Sequence, residues 1–271
     1  MSIAEIIAKS LGVALDTRKF LPFFFLYLLF FISSLIFTNS MFQVMPPIIL
    51  GTSTGTEISI LIIDMVALFV LVILLFGANI WFSGALVFEL HKGKGFRAGL
   101  KYSRKLYWKF ALLAVIVLIL FMVASFFGNL GFIVDFLIGW VLMFSFVSIA
   151  INGDDVQKAM TRSYDIIRKN IFKTIVFFAA ALFVTFIILL IGTILVGISL
   201  YPLFFSLSEI APPSLDPQTL TAGEVNRMFS MLLQNHPLFV MASVMASFFL
   251  SLANVFILAS KTYYFLSFKK K

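Results

Sequence analysis

Apolar residues run through this chain in six long blocks, Phe20 to Phe37, Ile58 to Phe82, Trp108 to Phe127, Leu130 to Ile151, Phe172 to Leu200 and Leu238 to Phe265, and polar positions gather between them. Crossing a hydrocarbon layer takes about 20 mostly apolar residues in helical form, because unpaired backbone groups find no water there. Runs such as "FLPFFFLYLLFFISSLIF" lack the strict alternation of a membrane β-strand. The pattern predicts an all-α fold, a polytopic membrane helix bundle with six transmembrane helices, forming a single integral membrane domain over residues 1–271.

Between the blocks the period changes. Val156, Ala159, Met160, Ser163 and Ile167 share one side of a helix whose other positions carry Lys158, Arg162, Asp165 and Lys169. Asp154, with Gln157 three residues on, can cap its start as in a capping box. The chain repeats this twice. Near the N-terminus Ile3, Ile6, Ile7, Ser10, Leu11 and Ala14 share a face, with Glu5 and Lys9 paired at i,i+4 outside it. After the second block, "GFRAGLKYSRKLYWKF" aligns Phe96, Leu100, Ser103, Leu106 and Phe110. Each amphipathic helix precedes an outgoing span, which divides the chain into units 1–91, 92–153 and 154–271, with Ser10, Ser103 and Ser163 in comparable places. A threefold internal repeat is one reading; amphipathic helices resemble one another by construction, which is the other.

Composition strengthens the membrane assignment: 62% of residues are hydrophobic and 12% charged, against about a quarter charged in soluble proteins. The formal net charge of +8 is unevenly distributed. Lys9, Arg18 and Lys19 precede the first span. The second-to-third connection holds Lys92, Lys94, Arg97, Lys101, Arg104, Lys105 and Lys109, the fourth-to-fifth holds Lys158, Arg162, Arg168, Lys169 and Lys173, and the C-terminal end has Lys261 and Lys269 to Lys271. Only Arg227 falls on the other side. Since Lys and Arg are retained on the cytoplasmic face, the expectation is a multi-pass protein of the cell membrane with both termini cytoplasmic. The first block, preceded by a charged amphipathic segment, reads as a retained anchor rather than a cleaved signal. Lys101, Arg104, Lys105, Lys158, Arg162, Arg168 and Lys169 form the membrane-surface basic set. They serve as topological anchors, or additionally recognise anionic lipid head groups or an acidic membrane-protein partner, at about 1 kcal/mol per basic residue. Nucleic acid is not expected, because basic segments tight against a bilayer are explained by lipid.

The stretches "LDTRKFLPFFF" at the first span and "AMTRSYDIIRKNIFK" before the fifth, with the span layout, resemble a six-span family of prokaryotic membrane proteins. That family includes the membrane domain attached to some glycerophosphoryl diester phosphodiesterases, and uncharacterised archaeal and bacterial relatives. The resemblance implies architecture and no catalytic residue, since this chain lacks the soluble barrel that carries the phosphodiesterase activity.

Residues 201–237 form the one long excursion outside. Thr221 and Glu224 suggest a capped short helix with Val225, Met228, Phe229, Leu232 and Leu233 on its apolar face, either a compact connection or a lid. An ionisable group within a span costs about 2.5 to 3.5 kcal/mol on insertion scales, so Asp64 and Asp135 ask for a reason. Both lie about 10 Å along their helices from the outer end. They either share a proton or a cation, or sit apart, bonded to water, backbone or nearby Ser and Thr hydroxyls. Asn79 and Asn254 lie deeper. Asn254 continues a stripe of Ser243, Ser247 and Ser251 suited to close helix packing; Gly77, Gly84 and Gly139 with Ser145 read as close contacts, and Gly192 and Gly197 as points that loosen the fifth span.

No cysteine occurs, which removes disulfides and thiolate chemistry. The two histidines, His91 and His236, fall on opposite faces, and no metal-ligand or phosphate-loop spacing is present. No catalytic residue, metal or cofactor is expected. The chain reads as a non-catalytic membrane module that binds lipid or a partner protein; the alternative is a small-solute transporter or channel using Asp64 and Asp135.

Overall fold

A computed structural model describes residues 1–210 and 222–269, apart from the side chains of residues 129, 208–210, 222 and 269. Among these residues the regular elements are helices: α1 (Ile3–Ala14), α2 (Thr17–Ile49), α3 (Gly55–Lys92), α4 (Phe96–Ser125), α5 (Gly131–Val141), α6 (Ser145–Asn152), α7 (Val156–Lys169), α8 (Ile171–Ile210), α9 (Ala222–Gln234) and α10 (His236–Lys269), with one 3-10 turn at Gly128–Leu130. Six stretches are long and apolar enough to cross a membrane: α2, α3, α4, the α5–α6 pair, most of α8 and most of α10. Only 6% to 39% of the most apolar window of each is buried within the chain itself. Ile62, Ile63, Phe69, Phe172 and Phe183 are among the large side chains left exposed, a surface suited to lipid rather than water. The protein is an all-α, multi-pass membrane protein.

The helices overrun the apolar blocks. The stretch from Asn39, expected as part of the loop between the first two spans, stays helical to Ile49 and runs through Pro46 and Pro47. The chain then reverses within a few residues through Gly51, whose φ is 67°, with Thr52 N–H returning to Pro47 O at 2.9 Å. Likewise α8 continues through Pro202 to Ile210, shortening the outer excursion. Thr221, the expected cap of α9, lies outside the described residues. Its helix buries Val225 and Phe229, and the Phe229 ring meets Phe42 at 5.7 Å.

Two of the three amphipathic helices are separate from their spans. α1 buries Ile6, Ser10, Val13 and Ala14 and ends where the Asp16 carboxylate takes the Arg18 N–H at 3.1 Å and Lys19 Nζ at 2.7 Å, a side-chain bond that competes with a continuing helix. α7 buries Val156, Ala159, Ser163 and Ile167 and ends at Asn170, whose amide donates to Ile166 O at 3.2 Å. The middle one is continuous with the third span as α4, burying Gly99, Ser103, Phe110 and Leu113; no glycine or proline interrupts "SRKLYWKF".

Two pairings expected from spacing are replaced. Glu5 bonds Ser2 rather than Lys9, its carboxylate accepting from the Ser2 N–H at 3.0 Å and its N–H donating to Ser2 Oγ at 3.2 Å, because the helix start offers amides without intrahelical acceptors. Asp154 does not cap α7. Asp155 holds the cap position without a side-chain capping bond, since the left-handed turn at Gly153, φ 69°, sends Asp154 back toward α6.

The chain packs as two compact units. One comprises Met1–Phe23, Phe76–Ile187 and Leu252–Lys271; the other comprises Phe24–Leu75 and Ile188–Ser251. They group residues by packing and therefore run across the three successive segments of chain order.

Candidate functional site

Each amphipathic element starts seven residues before its serine, at Ile3, Phe96 and Val156, and Ser10, Ser103 and Ser163 are all fully buried. The residue four earlier is buried in each case: Ile6, Gly99 and Ala159. Ser10 returns its hydroxyl to its own helix, to Ile6 O at 2.7 Å. The other two reach back 22 residues to the preceding span, Ser103 to Trp81 O at 3.0 Å and Ser163 to Val141 O at 2.6 Å. Gly93 and Gly153, both at positive φ, end those preceding helices in matching places.

The fourth span is broken where Ser163 touches it. Between α5 and α6 the chain makes a turn, with Met143 N–H bonded to Trp140 O and Ser145 N–H to Leu142 O. That shift leaves Phe144 N–H and Val141 O without their helical partners, and the Ser163 hydroxyl serves both, accepting from Phe144 N at 3.2 Å and donating to Val141 O. The break therefore carries no unsatisfied backbone at this point, which an apolar environment requires. The expected loosening at Gly192 and Gly197 is not seen: α8 is continuous there. A Cβ at Gly192 would lie 2.6 Å from Phe249 Cβ, so this glycine serves packing.

Below the break, Asp154 gathers four partners. Its side chain is 5% exposed and takes Ser148 Oγ at 2.8 Å, Asn152 Nδ2 at 3.3 Å and Arg162 Nη1 at 2.7 Å, with Lys158 Nζ at 3.8 Å. Asp155 turns outward to Lys109 at 2.6 Å, and this ammonium holds its carboxyl below the usual carboxylate range. Lys109 also donates to Gly153 O at 2.8 Å, so α4 is fastened to the α6–α7 turn.

Against this pinned corner opens a cavity of about 620 Å³, lined by Asn152, Arg162, Asp165, Ile166, Lys169, Asn170, Phe265 and Phe268. Its apolar wall belongs to an aromatic cluster: Tyr264 stacks on Phe177 at 4.1 Å and on Phe144 at 5.5 Å, and meets Phe268 at 5.0 Å. The Tyr264 hydroxyl lies 3.0 Å from Thr174 Oγ1. Of the basic residues singled out from the sequence, Arg162 and Lys169 line the cavity, whereas Lys101, Arg104, Lys105, Lys158 and Arg168 are exposed. Sequence reasoning missed Asn152, Asn170 and the two phenylalanines. The asparagines flank α7 at its two ends, a signal legible in hindsight; Phe265 and Phe268 come from another span, and no local pattern pointed to them.

The intramembrane polar residues divide. Asn254 donates to Asn79 Oδ1 at 3.1 Å. Asp64 accepts the Ser40 hydroxyl beside a cavity of about 210 Å³ that also includes Ser33 and Leu68. Asp135 belongs to the other compact unit, and its Oδ1 is buried without a donor among the described residues. The serine stripe is buried at Ser247 and Ser251, each hydroxyl returned to the carbonyl four residues back. His236 Nε2 lies 2.8 Å from Asn39 Oδ1. Gly77 and Gly84 are close contacts, with Tyr107 and with Ser103 and Phe110; Gly139 is not, having open space around it.

No protein-family model matches the chain, and neither a curated protein nor a solved structure matches it.

Proposed function

We propose that this multi-pass protein is a non-catalytic, lipid-binding module of the cell membrane, with both termini cytoplasmic and its amphipathic helices resting on the anionic face of the bilayer. The single observation that carries the reading is the division of α7. It buries Val156, Ala159, Ser163 and Ile167 and leaves Lys158, Arg168 and Lys169 exposed beside a cavity with two cationic side chains. Basic side chains held against an anionic membrane surface add about 1 kcal/mol each, and α4 supplies Lys101, Arg104 and Lys105 in the same manner. The resemblance to the six-span prokaryotic family agrees with this reading in architecture and adds no chemistry.

A small-solute carrier is the second reading, favoured by the interruption of the fourth span at Leu142–Phe144 and by the buried, undonated oxygen of Asp135. Broken spans expose helix ends to substrates in many transporters. Against it, Ser163 already occupies the two freed backbone groups.

Native mass spectrometry of the detergent-extracted protein separates these readings. Retained anionic phospholipid is the expected result; a stoichiometric protein partner would favour a docking platform, and a bound small solute would favour transport. Tags on the two termini that prove accessible from opposite faces of the membrane would overturn the topology.

A further inference from the structure

The cavity bounded by α6, α7 and α10 is more specific than a charged surface. Its volume falls within the range of about 300 to 1,000 Å³ typical of small-ligand sites, and its lining separates into a polar side and an aromatic side. On the polar side Arg162 is held in place by Asp154 through one Nη1 contact, leaving most of its five N–H donors for another acceptor. Lys169 forms no ion pair among the described residues, although Asp165 stands one helical turn away. Asn152 and Asn170 complete the polar side. Phe265, itself 4% exposed, and Phe268 provide the apolar wall.

We propose that this cavity is a discrete site for an anionic phosphate ester, with Arg162 and Lys169 facing the phosphate and Phe265 and Phe268 facing the apolar part of the ligand. The site rests on the lipid-binding reading above and narrows it from a surface to a place. Arg162 arrives preorganised, because its Asp154 anchor is itself bonded to Ser148 and Asn152. Asp165 opposes an anion, so it moderates affinity rather than creating it.

The full-length protein in a neutral detergent is titrated with dioleoyl phosphatidate, dioleoyl phosphatidylcholine and glycerol phosphate, and bound ligand is counted by native mass spectrometry. Phosphatidate is expected to be retained over phosphatidylcholine. Lys169→Gln should weaken it about fivefold, the equivalent of about 1 kcal/mol, and Lys94→Gln, at an exposed cation outside the cavity lining, should leave it unchanged. Asp165→Asn should strengthen it, a gain that a misfolded variant would not produce. Displacement of phosphatidate by glycerol phosphate at similar concentration keeps the site but makes its natural ligand a soluble phosphate ester. Equal losses in the Lys169 and Lys94 variants would overturn the discrete site while leaving surface lipid binding intact. Absence of any preference for phosphatidate would overturn both.

Discussion

Asn254 gives its side-chain amide to the Oδ1 of Asn79 at 3.1 Å, joining α3 to α10 across 175 residues of chain. Each asparagine stands out in the sequence as an isolated polar residue within an apolar span, and the tertiary structure makes them one feature. Interhelical hydrogen bonds of this kind stabilise membrane bundles by about 0.6 kcal/mol on average and up to about 1.7. Asn79→Leu or Asn254→Leu should each lower stability by about 1 to 2 kcal/mol, because the remaining amide is left unpaired. The double variant should be less destabilised than the sum of the singles, which a double-mutant cycle of unfolding in mixed micelles would measure.

Ser163 and Ser103 make the same bond to the preceding span but for different stakes. Trp81 lies within the continuous helix α3, whereas Val141 and Phe144 flank a break. Ser163→Ala therefore strands a buried N–H and a half-buried C=O, at about 1 to 3 kcal/mol, while Ser103→Ala costs about 1 kcal/mol or less. Comparing the two unfolding midpoints tests this. Equal effects would mean that the break is not held by the Ser163 hydroxyl.

Helix crossing between α3 and α4 depends on glycine. A Cβ at Gly99 would collide with the backbone carbonyl of Ala85, and one at Gly84 with the Ser103 hydroxyl and the Phe110 ring. Backbone cannot rotate away, so Gly99→Ala should destabilise by about 1 to 3 kcal/mol. Gly139→Ala, with no atom within 4 Å of the new Cβ, should be neutral or slightly stabilising through helix propensity. Thermal melting in detergent distinguishes them.

Two ion-paired carboxylates, one half-buried and one exposed, confer a modest acid sensitivity. Lys19 beside Asp16 and Lys109 beside Asp155 lower the carboxyl pKa values. A depressed folded-state pKa means that the stabilisation is present above the unfolded value of about 3.9 and is lost as pH falls through the folded one. Asp155→Asn should therefore flatten part of the stability decline below about pH 4, and 1 M salt should mimic it at neutral pH by screening. An unchanged acid profile would show that the Lys109 contact has no energetic consequence.

Much of this protein is legible from local pattern. Long apolar blocks without the alternation of a barrel strand leave the helix as the backbone arrangement that satisfies its own hydrogen bonds in lipid, so the six spans and the all-α class follow from hydropathy. The buried sides of α1 and α7 follow from a period of 3.6, and the shared eighth-position serine from their spacing. What local pattern misreads are choices between near-equal local partners: Glu5 for Ser2 over Lys9, Asp154 for α6 over the cap of α7, helix rather than loop after Asn39. Only the packed structure decided that the fourth span breaks rather than the fifth, because the break is tolerable where a serine from another helix supplies the missing donor and acceptor. Only packing, too, brought Phe265 and Phe268 to Arg162 and Lys169. Sequence spacing governs which residues share a face; which faces meet is a property of the whole chain's mutual fit, and the candidate site exists only through that fit.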